Sequence, residues 1–100
     1  MIPILEFDTP TFHPGRNTTI RRGDRWHSVP EARLRLRDGS LSPPMPLETA
    51  LKKFSALSES DLRFEHDPKC RTLEGLLHEM QRIYPGFDPE EDITVCHFNF

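Results

Sequence analysis

"GRNTTIRRGDRW", residues 15–26, places four arginines, two threonines and a tryptophan within twelve positions. The β-prone run over 18–21 favours a short strand. Gly23 and Asp24 then supply a turn. The arginines are thereby distributed over a loop, a strand and a turn, on a chain whose formal net charge is −3.

Working outward, "ARLRLRDG" alternates Ala32, Leu34 and Leu36 with Arg33, Arg35 and Arg37, then ends in Asp38 and Gly39. That is the period of a half-buried strand with an arginine face, followed by a turn. The opening "IPILEF" reads as an edge strand over 3–7, with proline near its start. "DTPTFHPG" is a loop, and "SLSPPMP" is a stiff extended connection in which a helix is disfavoured. Residues 47–57, "LETALKKFSAL", fit two patterns. Leu47, Leu51, Phe54 and Leu57 have helical spacing, yet the segment also alternates as a strand. Ser58 can cap a short turn, "SESDL", and "EHDPKC" is a loop broken by Pro68.

The clearest helix covers 72–84, where Leu73, Leu76, Leu77, Met80, Ile83 and Tyr84 make one apolar stripe. Thr72 is placed to cap it, and Pro85 with Gly86 ends it. "ITVCHFNF" is a terminal strand. No repeat or change of composition divides the 100 residues, so one domain is expected.

Composition excludes several classes of function. No apolar run reaches the roughly 20 residues of a membrane helix, and "MIPILEF" is too short and too soon acidic for a signal peptide, so a cytoplasmic protein with no membrane partner is expected. Cys70 and Cys96 lack the spacing of a disulfide framework or a zinc knuckle, and free buried thiols are the default reading. Pro68 separates His66 from Cys70, so no metal site and no cofactor are expected. Charge is uneven along the chain. Residues 1–37 carry seven arginines against four acids, a net +3, whereas residues 38–100 carry a net −6. Such asymmetry can point to a polyanionic partner.

Taken in order, these segments resemble an ASCH domain, a small member of the PUA-like group of β-barrels. Such domains place a G-[RK]-K-T-x-T-[IV]-R segment near the N-terminus and follow it with G-D and an alternating strand. A helix ending in YPG and a last strand ending near Phe come later. The matching pieces are "GRNTTIRRGD", "ARLRLRDG", "LEGLLHEMQRIYPGF" and "ITVCHFNF", which together span most of the chain. The resemblance implies an α+β fold: a single PUA-like barrel over 1–100 with one main helix at about 72–84 and a short helical turn. It also favours a strand over 47–54, against the helical spacing.

A PUA-like barrel implies binding of RNA or a modified nucleoside; a monomer is the working expectation, which nothing in the residues fixes. Guanidinium groups grip phosphate and stack on bases, threonine hydroxyls bond phosphates or base edges, and Trp26 offers a stacking face. The expected ligand site is Arg16, Asn17, Thr18, Thr19, Arg21, Arg22 and Trp26, with Glu65 and His66 facing the same cleft. Arg33, Arg35 and Arg37 read as an ordinary exposed strand face.

Some ASCH-like proteins are amidohydrolases of N4-acetylcytidine that use a lysine, a threonine and a glutamate. Thr19 matches the threonine, but Arg16 or Asn17 stands where the lysine belongs, and neither can act as a base. Thr19, Glu65 and His66 are then the catalytic candidates, with His66 as general base for amide or RNA hydrolysis. A non-catalytic protein-interaction module is the remaining alternative.

Overall fold

A computed structural model describes residues Met1–Phe100. The arginine-rich stretch forms β2, Arg16–Arg22. It runs antiparallel to β6, Asp92–Asn99, in the register Arg16↔Asn99 through Arg22↔Ile93. The other side of β6 pairs with β5, Glu48–Lys53, giving a sheet of order β2-β6-β5. A second, smaller sheet joins β1 (Ile4–Leu5), β3 (Glu31–Leu34) and β4 (Met45–Pro46) in the order β1-β3-β4.

Residues directly opposite in a sheet share a face, so the register assigns each side chain to a layer. Asn17, Thr19 and Arg21 lie across from Phe98, Cys96 and Thr94. Cys96 and Phe98 pack with Leu5, Trp26, Ala32, Leu34 and Leu47, and this cluster glues the two sheets together. Ile20, Val95 and Ile93 line the opposite face, where Leu76 and Met80 of α1 (Leu73–Ile83) cover them together with Phe54, Leu57 and Leu62. The result is a helix, a three-stranded sheet and a second three-stranded sheet, stacked in that order.

The expected PUA-like barrel is not what forms: neither sheet closes, and β2 and β5 remain the outer strands of the larger one. β1 and β4 are only two residues long. Pro3, Pro43, Pro44 and Pro46 crowd them, and a proline gives a ladder no N–H. So short a ladder cannot carry the continuous pairing that closure needs. The same limit cuts the strand expected over 3–7 to Ile4–Leu5. The alternation from Ala32 onward is paired only as far as Leu34, with one further bridge between Arg35 and Leu41.

The ambiguous segment over 47–57 is a strand followed by a single 3-10 turn, Phe54–Ala56. Its helical spacing is accidental. Leu47 packs between the sheets, Phe54 and Leu57 pack under the helix, and Leu51 is exposed. Cys70 and Cys96 are buried free thiols that lie in the two different clusters. No helix is long and apolar enough to cross a membrane.

Helix α1 begins as expected, with the Thr72 hydroxyl accepting from the Gly75 N–H at 3.1 Å. The glycine has a packing reason. A Cβ at residue 75 would lie 1.9 Å from the carbonyl oxygen of Lys69. Gly75→Ala is therefore expected to destabilise by about 1–3 kcal/mol, against the helix-propensity gain of about 1 kcal/mol that alanine normally brings. Urea unfolding of the variant checks the sign.

Candidate ligand pocket at the free edge of β2

As an outer strand, β2 offers main-chain groups on the side away from β6. The Thr18 N–H donates to the Phe64 carbonyl at 2.8 Å, and the His66 N–H donates to the Thr18 carbonyl at 3.0 Å. This short parallel bridge anchors the 64–66 segment beside β2. Just past it a recess of about 80 Å³ opens, lined by Thr19, Ile20, Arg21, Glu65, His66 and Asp67. Phe7, Asp8 and Thr9 form one wall; Cys70, Met80, Arg82 and Tyr84 form another.

Glu65 and His66 are both buried. His66 Nδ1 lies 3.1 Å from the Thr11 carbonyl. A carbonyl only accepts, so Nδ1 carries the hydrogen, and in a neutral ring Nε2 is then the acceptor. Nε2 faces Glu65 Oε1 at 3.1 Å. Burial pushes the Glu65 carboxyl up to about 8, and burial pushes the imidazole down to about 4. At neutral pH the pair is thus uncharged, with the carboxyl proton lying towards Nε2. Phe7 meets the imidazole edge-on, with ring centres 4.8 Å apart, and Phe12 tilts over it at 5.7 Å.

Arg21 is the unusual member. Its guanidinium sits 4.7 Å from the centre of the Phe7 ring. Its Nε is buried and has no hydrogen-bond partner. Burial lowers its pKa, but arginine remains protonated. With Glu65 neutral, this cation has no buried counter-ion. At the rim, Arg82 binds Glu79 at 2.6 Å and also pairs with Asp8, while Lys69 holds Glu79 at 3.2 Å.

Four of the expected site residues, Thr19, Arg21, Glu65 and His66, therefore meet around one recess. The others do not. Arg16 lies on the other face of β2 and pairs with Glu48 at 3.1 Å. Asn17 is buried and braces the preceding loop, donating to the carbonyls of His13 at 2.7 Å and Gly15 at 3.0 Å. The Thr18 hydroxyl bonds His97 Nδ1 at 2.8 Å. Arg22 pairs with Glu91 at 2.7 Å beside the Tyr84 ring. Trp26 is no stacking platform: the turn at Gly23 sends it between the sheets, where it is 9% exposed. Phe7, Asp8, Glu79, Arg82 and Tyr84 line the recess without having been expected there. They arrive from the end of β1 and from α1, and no local motif marks them.

Both residues that could stand at the missing-lysine position, Arg16 and Asn17, fail on geometry. Arg16 points away from Thr19, and the amide of Asn17 is fully engaged in its loop. Nor is His66 free to take a proton from Thr19, since Nδ1 is committed to Thr11 and Nε2 faces Glu65. The basic N-terminal third is also partly neutralised: three of its seven arginines, Arg16, Arg22 and Arg35, pair with Glu48, Glu91 and Glu6. No protein-family model, curated protein or solved structure matches the chain.

Proposed function

We propose that this protein binds the uncharged base of a nucleoside, a modified pyrimidine among them, in the recess beside β2, and holds it without hydrolysing it. The observation that carries this reading is the Arg21 guanidinium, which lines the recess with no salt bridge and with its Nε unpartnered. Nε is sealed by the protein itself, so the outer nitrogens of the same group are the donors that can meet an acceptor such as a base carbonyl. A recess of about 80 Å³ is several times the roughly 10–15 Å³ needed to admit a single water, so it takes a small ligand group and not a long chain. The motif order shared with ASCH domains favours the same class of ligand.

Electrostatics argue for a nucleoside over an RNA backbone. Glu6, Asp8, Asp67 and Glu79 surround the recess, and Arg82 is already paired. A phosphate at the mouth would meet like charge.

Calorimetric titration with uridine, cytidine and N4-acetylcytidine, each against its 5′-monophosphate, tests the proposal. Binding is expected for a nucleoside, weaker for the monophosphate, and insensitive to salt, unlike a phosphate-dominated interaction. Arg21→Met should weaken binding roughly 10–150-fold, the worth of one charge-assisted hydrogen bond. The same variant should unfold at an equal or higher urea concentration, because it removes a half-buried cation that has no salt-bridge partner. N4-acetylcytidine should be recovered intact. Undiminished affinity in Arg21→Met, or tight RNA binding that collapses with salt, would overturn the reading.

A further inference from the structure

We propose that the recess reads its ligand through the main chain: the N–H and C=O of Ile20, unpaired on the free edge of β2, bond an adjacent acceptor and donor on the edge of a heterocycle. The inference rests on the reading above that the recess takes a base, and adds to it which atoms select that base.

The register fixes which residues of β2 face outward. Gly15 and Phe100 exchange main-chain bonds at 3.1 and 2.8 Å, and the Gly23 N–H reaches the Asp92 carbonyl at 2.8 Å. In an antiparallel pair the bonded residues alternate, so the odd-numbered residues of β2 bond β6 while Thr18, Ile20 and Arg22 point the other way. Thr18 is satisfied by Phe64 and His66. The next rung of that parallel bridge would join the Ile20 N–H to the carbonyl of His66, and the Ile20 carbonyl to the N–H of residue 68.

Neither half of that rung forms. The His66 carbonyl accepts instead from the Thr11 hydroxyl at 3.3 Å. Residue 68 is proline and has no N–H to give. Pro68 also starts a 3-10 turn, Pro68–Cys70, that carries the chain away from β2. The ladder is thus ended by the sequence itself, and Ile20 is left beside the recess with both main-chain groups free. The partnerless Nε of Arg21 belongs to the next residue.

Of the unpaired outward positions Ile20 lines the recess and Arg22 does not, and a single rung there suits a small planar ring better than an extended peptide, which would need several. Pyrimidine edges carry the required pair side by side: N3–H and a carbonyl in uracil, N3 and the exocyclic N–H in cytosine. A ring lacking either group would leave a main-chain group of Ile20 buried and unsatisfied.

The test is a titration of ¹⁵N-labelled protein with uridine and cytidine, each compared with an edge-blocked counterpart, 3-methyluridine and N4,N4-dimethylcytidine. The Ile20 amide is expected to exchange rapidly in the free protein, and to shift and gain protection of tenfold or more when the preferred nucleoside binds. The blocked counterpart should bind at least tenfold more weakly. An amide-to-ester replacement at Ile20, which removes its N–H and weakens the Thr19 carbonyl as an acceptor from β6, should cause a similar loss of affinity in a protein that still unfolds cooperatively on heating. Nucleoside binding that needs Arg21 yet leaves the Ile20 amide unmoved and tolerates the blocked edge would overturn this inference and leave the base-binding reading standing. No binding by uridine, cytidine or N4-acetylcytidine would overturn both.

Discussion

Trp26→Ala is expected to lower the free energy of unfolding by about 3–5 kcal/mol, the usual cost of emptying a large aromatic site in a core. For a domain with about 5–15 kcal/mol in hand, that removes a large share of its stability. The loss should sit at the upper end here, because Trp26 packs in the cluster that joins the two sheets. The smaller sheet has little else to hold it. Its strands pair over two residues at each seam, so side-chain burial rather than ladder bonds keeps it in place. Trp26→Phe should lose less than half as much. Urea unfolding followed by far-ultraviolet circular dichroism measures both, and nucleoside affinity in the still-folded Trp26→Phe protein should match wild type. Unchanged stability with lost affinity would instead return Trp26 to the ligand site.

The second large effect is a fall in stability on raising the pH from 6.5 to 8. In the folded protein burial raises the Glu65 carboxyl from 4.5 to about 8 and lowers His66 from 6.5 to about 4. Between pH 4.5 and 6.5 the folded chain holds one extra proton on Glu65 and one fewer on His66 than the unfolded chain, so the two slopes cancel. Above 6.5 the imidazole is neutral in both states. Only Glu65 then differs, the folded state binds more protons, and stability drops by about 1.4 kcal/mol per pH unit, roughly 2 kcal/mol by pH 8. Below 4.5 the histidine alone differs, and stability falls again towards pH 4. Glu65→Gln keeps a neutral donor facing Nε2 and should flatten the decline above 6.5. Urea midpoints at three pH values in that window decide the matter. A flat wild-type profile would mean that neither Glu65 nor His66 keeps, above pH 6.5, a proton that the unfolded chain has lost.

The elements that could be read from the sequence are those whose signal is local. Thr72 with Pro85 and Gly86 brackets α1, the β-branched runs mark β2 and β6, and Asp38 with Gly39 turns the chain after β3. The helical spacing over 47–57 misled because a contact period does not say which layer each residue enters, and here Leu47 and Phe54 enter different ones. Barrel closure was not legible at all, since it depends on how far each ladder extends between distant segments. In the site, Thr19, Arg21, Glu65 and His66 were singled out through the resemblance to ASCH domains, and they do line one recess. The roles of Arg16, Arg22 and Trp26 were not legible, because their partners lie far along the chain or across the core: Glu48 is 32 residues from Arg16, and Glu91 is 69 from Arg22. The open rung at Ile20 was hidden for a related reason. Pro68 can be seen in the sequence, but the strand it fails to complete cannot.

The pairing of Arg16, Arg22 and Arg35 with Glu48, Glu91 and Glu6 bears on how fragments of this chain behave. A peptide cut after residue 37 would lose two of those three acids and display its surplus positive charge openly. It would adhere to heparin and to nucleic acid of any sequence, an attraction that the intact fold offsets in part through Glu48 and Glu91. Affinity measured on such a peptide would describe the scissors rather than the molecule.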